Sequence, residues 1–163
     1  MISQVGLNDR PIDGSSELEL AVAATMAVAM RKPELWPLVS AIKPEWFPQH
    51  ADRILWTGIL FTLTENDGLG ELAVLEGWFR KHHPKDAKGL LARLAHYTDI
   101  SIYRPCIEHD VRVIKRHGLR REIRGFGQHL VKLCDDRAPI SEVWKTLSDA
   151  PKRTHRNGGG DYV

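Results

Sequence analysis

The residue types that could do chemistry are few and scattered in this chain. Cys106-x-x-His109 and the His82-His83 pair carry metal-ligating atoms. A structural zinc site needs four ligands, usually as two close pairs at defined spacing. One loose pair per region and no C-x-x-C fall short of that. Cys106 and Cys134 are therefore expected to pack as small apolar residues, with the histidines solvated. No G-x-x-x-x-G-K-[ST] is present to cradle a phosphate, and Gly158-Gly159-Gly160 lacks the strand, helix and lysine of such a loop. G-x-S-x-G, H-E-x-x-H and a paired-carboxylate signature are missing too. The expectation is a protein with no catalytic residues, no cofactor and no metal, which neither binds nor hydrolyses ATP.

Residues suited to binding are better represented. Arg112, Arg116, Arg120 and Arg124 follow one another at i, i+4 spacing, with Lys115, His117 and Arg121 among them. On a helix they form a ridge that could follow a phosphate backbone by charge neutralisation. Glu108, Asp110 and Glu122 can offset them as i, i+4 pairs, and no aromatic residues interleave for base stacking. A solvated face is the preferred reading, with nucleic acid and an acidic protein partner as the alternatives. Of Trp36, Trp46, Trp56, Trp78 and Trp144, the first four are expected in the core. Trp144 lies on a short last helix with little to cover it and is a candidate partner anchor.

The elements that must position these residues all read as helices. Ser16-x-x-Glu19 has the form of a capping box. Leu18, Val22, Thr25, Met26 and Ala29 then share one face of a helix that Pro33 ends. A short helix over 34–41 buries Leu35, Leu38, Val39 and Ile42, and a turn at Pro44–Phe47 plants two aromatic rings. A third helix over 49–63 buries Ile54, Leu55, Ile59, Leu60 and Leu63, widened by Trp56 and Phe61. The fourth, 72–82, buries Leu72, Leu75, Trp78 and Phe79; the fifth, 87–97, buries Leu90, Leu91, Leu94 and Tyr97. From 106 to 135 the spacing predicts one long helix, or two nearly collinear ones, with a 4-3 apolar seam of Ile107, Val111, Ile114, Leu119, Ile123, Phe126 and Leu130. The seam takes one step of five across Gly118, where a kink is expected. A last helix runs from Ile140 to about Ser148 with Val143, Trp144 and Leu147 inward. The reading is an all-α protein in four segments: a flexible N-terminal arm (1–15), a helical head (16–104), a helical hairpin (105–150) and a disordered basic, Gly-rich tail (151–163).

With 163 residues and 42% hydrophobic content, the chain can close a real core. Its net charge of +2 permits a nucleic-acid partner without requiring one. The N-terminus lacks the basic flank and apolar run of a signal peptide, and Leu18–Met30 is too short to span a bilayer. A cytoplasmic protein with reduced thiols is expected.

The order of several short motifs also resembles a known family. Glu17-x-Glu19-x-x-Val22-x-x-x-Met26, Pro33-Glu34-x-Trp36-x-x-Val39 and Ile42-x-Pro44-Glu45-x-Phe47 look like the N-terminal domain of the replicative helicase DnaB family. Phe47-x₅-Arg53-x-Leu55-Trp56 and Glu71-Leu72-x-x-Leu75 continue the likeness, which runs from about Glu17 to about Leu147. Asp52 stands where the family usually has His, and Val74 where it has Thr. The resemblance implies a primase-binding, collar-forming helical head with a hairpin that pairs domains, without the ATPase motor. It implies self-association and binding to primase, replicative helicase or helicase loader, so as to assist, load or block a helicase. If the chain is an excised domain, the parent would be a DnaB-type ATP-dependent helicase. The residues themselves leave a helical nucleic-acid-binding protein, using the basic stripe 112–124, as the alternative.

Overall fold

In the computed structural model of the protein, residues 15–67, 69–101 and 106–155 are described, with the backbone alone at 15, 16 and 151–155. The N-terminal arm, the hydroxyl of the capping box and residues 156–163 of the tail lie outside the described residues. The described residues form seven α-helices: α1 Ser15–Arg31, α2 Trp36–Val39, α3 His50–Glu65, α4 Leu72–His82, α5 Ala87–Ile100, α6 Ile107–Asp135 and α7 Ile140–His155. Single 3₁₀ turns at Pro33–Leu35 and Pro44–Trp46 complete the described elements, and no strand occurs among them. The protein is all-α. It divides into two units, Met1–Gly118 and Leu119–Val163, so the boundary falls inside α6 and not at 104/105.

Unit 1 is built around α1. Every residue from Ala21 to Ala27 is buried, whichever way it points. A helix covered on all sides needs apolar residues all round, and here most of them are alanines. Small side chains let α5 and α3 approach the α1 backbone closely, and both pack against it. The expected face of Leu18, Val22, Thr25, Met26 and Ala29 is buried as read, within a wider covered surface.

Helix α3 packs on α4, on α1 and on the Pro44–Trp46 turn. Leu55, Trp56, Ile59 and Leu63 are its buried apolar side chains. The Trp56 indole Nε1 donates to the Ile42 carbonyl at 2.9 Å, and its ring lies 5.3 Å from that of Phe47. That bond ties α3 to the loop before it while satisfying a buried donor. Gly58 leaves room for Phe79 of α4: a Cβ there would sit 2.8 Å from Cε1 of the ring. Of the residues expected in the core, Ile54, Leu60 and Trp78 of α3 and α4 are half-buried, and two are not covered. Phe61 and Leu72 are exposed, Phe61 stacking against Trp78 at the surface with 6.2 Å between rings. Each lies at the edge of an amphipathic stripe, where coverage depends on the neighbour and not on the period.

The first turns of α6 belong to unit 1. Val111, Val113 and Ile114 are buried there, and so is Gly118. A Cβ on Gly118 would overlap Cγ and Cβ of the buried Trp46 indole and stand 2.5 Å from its Cδ1. Gly118 is thus a packing site against Trp46, within the continuous span of α6.

Unit 2 comprises α6 from Leu119 onward, a four-residue turn and α7. The end of α6 is closed by two backbone bonds, Ala138 N–H to Leu133 O at 2.9 Å and Arg137 N–H to Cys134 O at 3.1 Å. This is the Schellman pattern, and it places Arg137 at φ 53°, in the left-handed region that glycine usually fills. Helix α7 continues to His155 and passes Pro151, well beyond the expected stop at Ser148.

Candidate functional site

The most developed polar cluster of unit 1 joins α3 to α5. Asp52 is almost wholly buried. Arg93 grips its carboxylate with two donors, Nε to Oδ1 at 2.6 Å and Nη2 to Oδ2 at 3.0 Å. The Tyr97 hydroxyl donates to Oδ1 at 2.8 Å, and Arg93 also donates to Gln49 Oε1. Gln49 and Asp52 are one turn apart at the start of α3, while Arg93 and Tyr97 are i, i+4 neighbours on α5. The bidentate geometry is the strong form of the Arg–carboxylate pair. Burial, and then the hydrogen bond to Asp52 and its charge, push the Tyr97 hydroxyl well above the usual tyrosine range, against the opposing charge of Arg93. The hydrogen bond to Asp52 holds the Arg93 guanidinium even more firmly protonated than usual. Every member has its partner inside the fold, so the cluster clips α3 to α5. The sequence reading noted Asp52 only as a replacement and did not find its partners; the i, i+4 spacing of Arg93 and Tyr97 was the available signal.

The ligand-type residues do not assemble. Among the described residues, no group of three or more His, Cys, Asp or Glu is placed to hold a metal ion. Cys106 and Cys134 are free and exposed, which corrects the expectation that they pack as apolar fillers. His109 Nε2 donates to Glu17 Oε1 at 3.0 Å, linking α6 to α1. His82 and His83 lie 4.8 and 5.5 Å from the Trp78 ring. No helix among the described residues is long and apolar enough to cross a membrane.

The apolar seam divides along its length. Val111 and Ile114 are core residues of unit 1 and are not available to a partner, and Ile107 is half-buried. From Leu119 onward no described residue through Ala150 is buried. Leu119, Phe126 and Leu130 are half-buried, and Ile123 is 62% exposed. Val131, Ile140 and Trp144 are 60%, 74% and 64% exposed, and Leu147 is exposed as well. The expectation that Trp144 and Leu147 face inward is therefore corrected, Trp144 lying on a helix with little to cover it. Val131 and Ile140 were missed because one falls directly after a seam position and the other opens its helix. Unit 2 thus leaves large apolar side chains of both its helices exposed.

The four arginines of the stripe, Arg112, Arg116, Arg120 and Arg124, are all exposed on α6. Lys115, His117, Arg121 and Glu122 between them are engaged within the fold. Compared with known proteins, the chain matches no family model and no curated protein.

Proposed function

We propose that this chain is a non-catalytic DNA-replication module that self-associates through unit 2 and docks a primase, a replicative helicase or a helicase loader. The observation that carries the reading is the absence of any buried residue among those described between Leu119 and Ala150, with Ile123, Val131, Ile140 and Trp144 standing in water. Two helices cannot close a core by themselves. A second copy brings two more, and four helices can cover a central apolar seam. The all-α construction and the ordered motifs between Glu17 and Leu147 support the resemblance to the DnaB N-terminal domain. Trp144 has the type and exposure of a partner anchor.

Sedimentation analysis tests the self-association. The wild type is expected as a dimer or larger, and a double Ile123→Lys, Phe126→Lys variant as a folded monomer. A wild type that stays monomeric at high micromolar concentration overturns the reading. Pull-down from a replicating extract, with the bound proteins identified, tests the partner class.

A second reading is favoured by one observation, the exposure of all four stripe arginines. If nucleic acid is the partner, affinity falls steeply with salt, by a slope of about −0.9 per phosphate neutralised on duplex DNA. Replacing Arg116, Arg120 and Arg124 with Glu then abolishes binding at any sequence. Binding tighter than about 1 μM at physiological salt would put this reading first, since non-specific binders sit at roughly 1–100 μM.

A further inference from the structure

Two open cavities of unit 1 meet over the first turn of α3. One, of about 340 Å³, lies between the Pro44–Trp46 turn, α3 and the end of α4. The other, of about 400 Å³, lies between α3 and the start of α5. His50 and Ile54 line both, which makes them one elongated trough. Its floor is apolar, with half-buried Ile54 flanked by Pro44 on one side and Leu90 on the other.

The rim is rich in donors. His50, His83 and Lys85 line it, and none of their side chains has a hydrogen bond or ion pair among the described residues, the His83 ring lying against Trp78. Arg53, also on the rim, is held by the Phe47 carbonyl at 2.8 Å. The acids there are Glu45, which has a partner within the fold, and Asp86, which sits at the N-cap of α5 where the helix dipole favours its charge. Trp78 is not a stacking platform for bases, because Phe61, Phe79, His82 and His83 already crowd its ring. An extended trough with an apolar floor and unengaged donors on its rim matches carboxylates interspersed with apolar side chains. We propose that this trough docks an acidic peptide segment, seating an apolar side chain over Ile54 and its carboxylates on His50, His83 and Lys85. The site lies wholly in unit 1 and stands independently of self-association through unit 2.

Fluorescence anisotropy tests this, using a fluorescein-labelled peptide of repeating Asp-Leu-Glu-Glu units and the full chain. The expected Kd is about 100 μM or tighter. It should weaken about tenfold with Lys85→Glu combined with His50→Glu, both exposed positions whose fold is checked by circular dichroism. A peptide with Leu changed to Ser, or with its acids changed to Lys, should bind at least as poorly. Failure of the acidic peptide to bind, binding unaffected by the charge reversals, or tighter binding of an oligodeoxythymidylate than of the peptide would each overturn the proposal.

Discussion

Changing Gly118 to Ala should destabilise the protein, while the same change at Gly125 or Gly127 on the same helix should stabilise it. In an exposed helix interior, Gly→Ala contributes about 1 kcal/mol through backbone entropy. At Gly125 and Gly127 an added Cβ meets nothing within 4 Å, so that gain arrives whole. At Gly118 the methyl would enter the space of the Trp46 ring, 2.5 Å from Cδ1, where carbon atoms rest at about 3.5–4.0 Å. Trp46 is 2% exposed and its Cβ is among the atoms struck, so rotating the side chain offers little relief. Overpacking of this kind costs roughly 1–3 kcal/mol. Subtracting the helix gain leaves a net loss of up to about 2 kcal/mol, near the upper end because the overlap is with an inflexible atom. Urea denaturation followed by far-ultraviolet circular dichroism reads all three variants on one scale. Equal stabilisation at the three glycines would refute the packing of α6 against Trp46.

Three other outcomes follow from the polar cluster and the turn. Arg93→Met should cost about 3 kcal/mol in the same denaturation experiment, because it leaves the buried Asp52 carboxylate without its cation; a loss under 1 kcal/mol would mean that water reaches Asp52. For Tyr97, the folded chain holds the hydroxyl protonated well above the usual range, so its contribution is complete below about pH 10 and fades as pH rises through the folded value. Thermal melts should therefore show the gap between wild type and Tyr97→Phe narrowing above about pH 10, and a gap that widens there would reverse the sign of the argument. Arg137→Gly should raise stability by about 1 kcal/mol by relieving a left-handed residue in the α6–α7 turn, and a decrease in the denaturation midpoint would show that the Arg137 side chain contributes more than its backbone strain costs.

Helix positions were largely legible because period and punctuation agree: Pro33, the residues after Leu63, and His83-Pro84 mark real ends. What misled was information that a period does not hold. The step of five at Gly118 also marks where α6 passes from covered residues such as Ile114 to exposed ones such as Ile123. The lack of an apolar period and the basic, Gly-rich composition after 150 suggested a tail, yet the backbone of α7 carries on through Pro151 to His155; a missing N–H costs one bond to the carbonyl four residues back, which a helix near its end can forgo. Asp52 and Arg93 are 41 residues apart, and nothing local announces their pairing. The exposed surface of unit 2 was half legible: the seam named Ile123, while the burial of Val111 and Ile114 within unit 1 depends on tertiary packing alone.

The burial of the start of α6 has a kinetic consequence. Starting a helix from coil carries a statistical weight of about 10⁻³, roughly 4 kcal/mol, whereas adding residues to an existing one is close to neutral. With Val111, Val113 and Ile114 fixed in unit 1, the first turns of α6 are made when that unit condenses. The residues after Leu119 then lengthen a helix that already exists. Because unit 1 also precedes unit 2 in the chain, it leaves the ribosome first and can act as a template while the remainder is still being synthesised. Hydrogen exchange during refolding should show protection spreading along α6 from Val111 toward Leu133, and in that direction only.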